Sequence, residues 1–393
     1  MNLAVFIKRT TLHAGYGGLE TQNKALCEGL AKRGHKITVF SPKYKLDTLS
    51  QELNGVFYKF IDCSYRSLGG FGYLDKNNWI NRSVEEFKKA HQKEKFDLVL
   101  GQSSAALGLV MKKAELDVPV ISISHGTTTG EFKTLLQSLS SLKDYVKLIP
   151  NTAYFLLNFF NRQREFVLHS DKVVAVSKFV KKALVDETFV DENRIAVIYN
   201  GTDENIISTK IDDGMVRLFY VGLIHRSKGL EDLVEVMGEL RGKSIDLTII
   251  GDGPQLEALK RLVSEKKLLG KIHVLGRTSH EEAMKVLGES DIFVLPSRRV
   301  EGFPMSVIEA MFAQVPVIGS NMGGIPEGVE NGVTGIVYES GNVNELKNAI
   351  IKLSEDKELR DRMGKNAYEK AKKEFTLDVM LDKYEKTFSE VLS

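Results

Sequence analysis

The sequence predicts an α/β protein built from two doubly wound parallel sheets that face each other across a cleft. Three observations predict it. Short Val/Ile/Leu-rich runs alternate with amphipathic helical stretches along the chain. Many of these runs are continuous rather than alternating in polarity, as strands covered on both faces are. The alternation also runs through twice, on either side of a polar, acidic join at 202–214. With 393 residues, 42% hydrophobic and 27% charged, the chain can bury two cores.

In the first half the strand candidates are 3–7, 36–40, 98–100, 118–122, 173–176 and 195–199. In the second half they are 216–221, 247–250, 272–275, 292–295, 315–318 and 335–338. Helical periodicity lies between them at 20–32, 229–240, 255–266 and 281–287, and it returns at 377–391. The division that follows is a first domain at 1–203, a second at 204–375 and a terminal helix at 376–393. In doubly wound sheets ligands bind beyond the carboxyl ends of the strands, so the loops that directly follow strands are where function is expected.

Composition excludes several classes. There is no low-complexity tract, and an ordinary apolar fraction argues against disorder. Cys27 and Cys63 are too few for a disulfide framework or a four-cysteine zinc site, which points to a reducing compartment. The first nine residues do not read as a signal peptide, and no run of ~18 apolar residues spans a bilayer. Residues 1–200 hold 28 Lys and Arg against 20 Asp and Glu, while the remainder holds 26 against 32. A basic first half and an acidic second half suit different partners, although scattered surface charge explains the split equally well.

Residues 132–168 break the rhythm with a Leu- and Phe-rich stretch followed by Arg162 and Arg164. Such a face can lie on an anionic membrane, but core packing of the first domain is the reading favoured here.

Five loops carry chemistry. After the first strand comes His13-Ala14-Gly15-Tyr16-Gly17-Gly18-Leu19-Glu20, where glycines allow close backbone approach and a helix N-terminus can meet an anion. It is not the dinucleotide fingerprint, whose third glycine would fall at Glu20. His125, followed by Gly126, stands just past a strand end, where an imidazole can bond a hydroxyl or share a proton. Gly222–Leu230 supplies Arg226 and Lys228 before a helix, a combination suited to a diphosphate. Gly251-Asp252-Gly253-Pro254 is a further strand-to-helix turn.

The most informative stretch runs from Asp291 to Met311. Glu301 lies in the loop before a helix that begins near Met305, and Glu309 sits on the wheel opposite the apolar arc, among Ser306, Ala310 and Ala313. Two carboxylates in that setting can accept hydrogen bonds from vicinal hydroxyls. Amides of Gly302, Phe303 and Met305 can donate to the same ligand, whereas Pro304 cannot. An amphipathic helix with Glu309 in water would fit the pattern too.

Taken in order, these motifs resemble the retaining glycosyltransferases of family 4, with the GT-B fold of two Rossmann-like domains. The resemblance rests on Gly17-Gly18-Leu19-Glu20, Arg33-Gly34-His35, His125-Gly126, Val176-Ser177-Lys178 and Tyr199-Asn200-Gly201-Thr202-Asp203. It continues through Gly222…Lys228-Gly229, Gly251-Asp252-Gly253-Pro254 and Glu301 with Glu309. The resemblance implies that a nucleotide diphosphate sugar, UDP- or GDP-linked, is held mainly by the second domain and donated to a glycan or lipid-linked acceptor.

By the same resemblance, Glu301 and His125 act at the sugar, and Glu309 holds the ribose. Lys228 and Arg226 neutralise the diphosphate, Arg277 marks the base site, and Gly17 and Gly18 line the phosphate and acceptor side. Two departures stand out: Leu223 occupies the position of a common arginine, with Arg226 as its substitute, and Pro304 replaces a frequent glycine. No cofactor or essential metal is expected, and no Asp-x-Asp pair follows a strand. The last helix is expected to cross back to the first domain, with a hinge near 202–214.

The expected setting is cytoplasmic or peripheral on the inner membrane face, in polysaccharide or glycolipid synthesis, with no nucleic-acid partner. An epimerase or hydrolase on the same fold, or a silent sugar-binding subunit, are the alternatives.

Overall fold

The structure is a computed structural model, and it describes residues 1–13, 17–64, 75–137, 148–202 and 206–393. Gly15 and Tyr16 of the glycine-rich loop, residues 203–205 of the expected hinge and residues 138–147 of the Leu- and Phe-rich stretch lie outside the described residues. The chain divides into two units. One is formed by most of the first 200 residues together with Leu377–Ser393, the other chiefly by Gly201–Thr376.

The first unit is an eight-stranded sheet in the order β3-β4-β2-β1-β5-β6-β7-β8. Its strands are β1 Asn2–Phe6, β2 Lys36–Pro42, β3 Ser50–Leu53, β4 Val56–Ile61, β5 Leu98–Gln102, β6 Val120–Ser124, β7 Lys172–Ala175 and β8 Ile195–Val197. All neighbours pair in parallel except β3 and β4. Leu3 to Phe6 of β1 and Leu98 to Leu100 of β5 are wholly buried, as continuous apolar strands under helices on both faces must be.

The β3–β4 hairpin is the element the strand candidates omitted. Its turn is Asn54-Gly55, both residues at positive φ (51° and 77°), the type I′ geometry whose twist suits a hairpin. β3 is polar and mostly exposed, so hydrophobic patterning does not reveal it.

Two strands start later than expected, for one reason. β6 was expected at 118–122 and runs Val120–Ser124, because Pro119 has no N–H to donate and takes part only through its carbonyl, which accepts from Val99 N at 2.9 Å. In the second unit Pro316 likewise offers its carbonyl to Phe293 N at 3.0 Å, and the strand begins at Val317. The first shift carries the sheet up to Ser124 and leaves His125 as the residue that exits it.

The second unit is a six-stranded, all-parallel sheet in the order β11-β10-β9-β12-β13-β14. Its strands are β9 Val216–Val221, β10 Ile245–Ile250, β11 Ile272–Gly276, β12 Ile292–Leu295, β13 Val317–Ser320 and β14 Gly335–Tyr338. Counted within the unit this is 3-2-1-4-5-6, so the chain reverses direction across the sheet between β9 and β12. Ligands of such sheets bind at that reversal.

The terminal helix Leu377–Leu392 belongs to the first unit. Asp378, Asp382 and Glu385 recur along one helix face and meet Arg33 at 2.6, 2.6 and 2.7 Å, and Glu385 also meets His35 Nε2 at 2.9 Å. Arg33-Gly34-His35 is thus the seat of this helix.

The Leu- and Phe-rich stretch differs from the core packing expected for it. Its helix Leu148–Asn158 continues into a π-helical turn, Phe159–Gln163. Tyr154, Leu156, Leu157 and Phe160 are 36–53% exposed, while Phe166 and Val167 are buried. No helix among the described residues is long and apolar enough to cross a membrane.

Candidate active site

In the second unit the site grows from the loops after β9 and β12, on either side of the strand-order reversal. Gly222 leaves β9, and the chain then makes a 3₁₀ turn, Arg226–Lys228. His225 caps that turn by accepting from Ser227 N at 3.2 Å. Gly229 follows at φ 68°, and a Cβ there would run into the Pro296 carbonyl oxygen, so only glycine lets the two loops touch. The helix expected from Gly229 therefore starts at Leu230.

The second loop is fastened to the first. Arg298 N donates to Ser227 O at 2.9 Å, and the Arg298 guanidinium forms a two-pronged pair with Asp232, 5% exposed, on the Leu230–Glu239 helix. This brings Lys228 Nζ to 2.6 Å from Glu301 Oε1. The side chains are only 15% and 12% exposed. Ser297 Oγ, itself fully buried, donates to the same carboxylate oxygen at 2.7 Å.

Burial pushes the Glu301 carboxyl up. The Lys228 charge and hydrogen bond, Arg299 and Ser297 more than offset it, so Glu301 is held below the usual carboxylate range and is ionised at neutral pH. Tyr220 lies beneath, wholly buried, its hydroxyl donating to Leu223 O at 2.9 Å; burial and then the Glu301 charge raise its pKa. From the other side Gly324 N donates to Glu301 O at 2.8 Å. Gly323, at φ 63°, passes so close that a Cβ would collide with that oxygen.

Glu309 lies on the helix Met305–Phe312 and is 7% exposed, with Ala310 and Ala313 fully buried beside it. The alternative of a carboxylate in water is therefore excluded. Phe303 and Met305 have buried side chains, and the Phe303 ring packs on Phe375 with centroids 5.0 Å apart. What these residues can offer a ligand is backbone. Gly302 sits partly exposed between Glu301 and Phe303. Arg226 is exposed and lines a groove of about 430 Å³ with His225, Glu231 and Gln255. Arg277 is exposed directly after β11.

In the first unit Gly17 caps the helix Gly18–Lys32, and its N–H donates to Glu20 Oε2 at 2.9 Å. Gly17 and Gly18 are exposed. His125 Nε2 lies 2.6 Å from Gln102 Oε1 at the end of β5. Burial lowers the His125 pKa to about 4, so its imidazole is neutral at neutral pH. Among the described residues no three His, Cys, Asp or Glu side chains cluster as a metal site.

Sequence reasoning missed the residues that hold these loops in shape: Ser297, Asp232, Tyr220 and Gly323 in the second unit, and Gln102 in the first. The Gly323-Gly324 pair was a readable signal, since adjacent glycines after a strand mark a tight approach. The others are ordinary residue types made important by neighbours distant in sequence.

Residues 201–370 match the family described as glycosyl transferases group 1, and residues 16–205 match glycosyltransferase family 4. An uncharacterised glycosyltransferase of Methanocaldococcus jannaschii is 32% identical over 259 residues, covering 65% of this chain and 71% of its own. N-acetyl-alpha-D-glucosaminyl L-malate synthase of Bacillus anthracis is 29% identical over 97% of this chain and 96% of its own. Among solved structures, a sucrose-phosphate synthase from Thermosynechococcus elongatus superposes with a TM-score of 0.83 at 19% identity, covering 99% of this chain and 98% of its own. Anabaena Alr3699/HepE in complex with UDP-glucose superposes at 0.74 and 17% identity, covering 99% and 100%. The chain is a glycosyltransferase with the GT-B fold, a member of the group 1, family 4 glycosyltransferases.

Proposed function

We propose that this glycosyltransferase moves a hexose, with retention of configuration, from a UDP- or GDP-linked sugar to a glycan or lipid-linked acceptor in polysaccharide or glycolipid synthesis. The observation that carries this reading is the buried Lys228–Glu301 pair at the strand-order reversal of the second sheet. A diphosphate brought to Lys228 offers that ammonium a competing anion. Glu301, kept ionised by its surroundings, is then an acceptor for the sugar hydroxyls. Glu309, a carboxylate flanked by small side chains on the helix Met305–Phe312, is assigned to the ribose diol, whose vicinal hydroxyls a carboxylate can accept from. Amides of Gly302, Phe303 and Met305, the glycine edge at Gly17 and Gly18, Arg226 and Arg277 complete the donor-binding set, with His125 at the sugar.

Retention follows from a same-face displacement. The bond from the anomeric carbon to the diphosphate oxygen breaks while the acceptor oxygen bonds to that carbon from the same side, and the acceptor proton passes to the departing diphosphate. Lys228 stabilises the charge that develops there. No metal is needed in this scheme, and transfer should persist in EDTA.

A cytoplasmic protein peripheral on the inner membrane face suits a lipid-linked acceptor. Exposed Tyr154, Leu156, Leu157 and Phe160 beside Arg162 and Arg164 support that placement. Sedimentation with anionic vesicles, absent with neutral ones, checks it. The similarity to the N-acetyl-alpha-D-glucosaminyl L-malate synthase of Bacillus anthracis, over nearly the whole chain, favours a second reading of the acceptor, a small soluble hydroxy acid.

The deciding experiment incubates UDP- and GDP-sugars with and without acceptors. Slow donor hydrolysis that acceptor accelerates supports transfer. Rapid conversion of donor alone supports an epimerase or hydrolase instead, and tight donor binding with no turnover on any acceptor supports a silent binding subunit.

A further inference from the structure

The first unit contains a buried chain of amides that ends on His125. Gln102, the last residue of β5, is 2% exposed. Its Nε2 lies 2.9 Å from Asn23 Oδ1 and 3.4 Å from Gln22 Oε1, two residues of the helix Gly18–Lys32 that are 2% and 1% exposed. Gln22 Nε2 in turn lies 3.9 Å from Met380 Sδ on the helix Leu377–Leu392. The Gln102 amide nitrogen thus faces two side-chain oxygens, and its own oxygen is turned to His125 Nε2 at 2.6 Å.

Hydrogen-bond inventory settles the consequence. An amide oxygen only accepts, so the atom facing it must carry a proton. A neutral imidazole has one N–H, and here it is on Nε2, which leaves Nδ1 as a bare lone pair.

We propose that Gln102 is a positioning residue that locks His125 in the Nε2–H tautomer, so that His125 presents Nδ1 as a hydrogen-bond acceptor to a donor group of the bound ligand, a sugar hydroxyl or amide N–H. This deepens the reading of His125 as a sugar-contacting residue and rests on it. The sugar group donates to His125 rather than accepting from it. Burial keeps the ring from charging at neutral pH, so it serves neither as a general acid nor as a cation for the diphosphate. Asn23 and Gln22 hold the Gln102 amide in the required orientation.

The test is spectroscopic and does not depend on turnover. Full-length protein labelled with ¹⁵N-histidine should show His125 with a protonated Nε2 and an unprotonated Nδ1 across neutral pH. Gln102→Glu keeps the acceptor and adds a charge that favours imidazolium, so the His125 titration should move upward by more than one pH unit. Gln102→Met removes the acceptor and should lower kcat/KM about tenfold while the KM for a nucleotide sugar changes less than twofold. Gln102→Glu, which can still accept from Nε2, should recover part of that loss at high pH. A wild-type Nδ1–H tautomer, or a His125 titration unmoved in Gln102→Glu, overturns the proposal. Should Gln102→Met fail to fold, the wild-type and Gln102→Glu spectra decide alone. The Nε2–H tautomer in a chain without transferase activity would sink the functional reading and leave the Gln102 assignment standing.

Discussion

Lys228 and Glu301 each stabilise the other's charge in a place water barely reaches, so their individual removal is expected to be asymmetric with their joint removal. Lys228→Met leaves a buried carboxylate unpaired and should cost roughly 2–4 kcal/mol in denaturant unfolding. Adding Glu301→Gln removes the orphan charge and should restore most of that loss. Transfer should fall by more than about 100-fold in both variants, because stability returns without the charge proposed to meet the diphosphate. A double variant as unstable as Lys228→Met would show that the pair is not coupled.

His125 makes a second prediction, with a definite sign. Its unfolded imidazole takes up a proton as pH falls below about 6.5, whereas the folded one resists until about 4. The unfolded chain therefore gains protons first, and the stability associated with His125 is complete above pH 6.5 and lost progressively down to pH 4. Comparing unfolding midpoints of wild type and His125→Asn across that window isolates the contribution. The two curves should converge as pH drops.

At the scale of elements, loops rather than strands set the geometry of the second-unit site. Gly323 is left-handed and pressed against the Glu301 carbonyl oxygen, so an alanine there pays for both strain and overlap. Gly323→Ala should lower transfer at least tenfold by displacing Glu301, with far-ultraviolet dichroism unchanged. The helix Leu377–Leu392 is held differently. Its contact through Arg33 links three acidic side chains, two of them largely exposed, so Arg33→Ala should cost only about 1 kcal/mol and less at high salt. The hairpin at Asn54-Gly55 and the two strands displaced by Pro119 and Pro316 belong to this scale as well. Each was written in local turn or proline chemistry, a signal independent of the hydrophobic period that located the other strands.

For the whole molecule, binding is expected to report itself through stability. A UDP- or GDP-sugar that occupies the native site at about 100 times its Kd adds about 2.7 kcal/mol, which should raise the unfolding midpoint by several degrees. The matching nucleoside diphosphate should do so without the sugar, and Glu309→Gln should weaken the effect about tenfold. A midpoint indifferent to every nucleotide would remove the basis of the donor assignment.

The sequence by itself determined the alternation of strand and helix, the doubling of that alternation, and the residue types at strand ends, because hydrophobic period, glycine and charge are local properties. It also supplied Glu301, Glu309, Lys228 and His125 as candidates. Tertiary structure alone decided which of them meet. Lys228 and Glu301 touch because β9 and β12 are neighbours in a sheet that reverses between them, although 73 positions separate the two residues. Burial of Glu309, the lowered pKa of His125 and the part played by Gln102 were equally out of reach. They depend on desolvation and on partners brought together by strand order, and neither quantity is carried by any single stretch of chain.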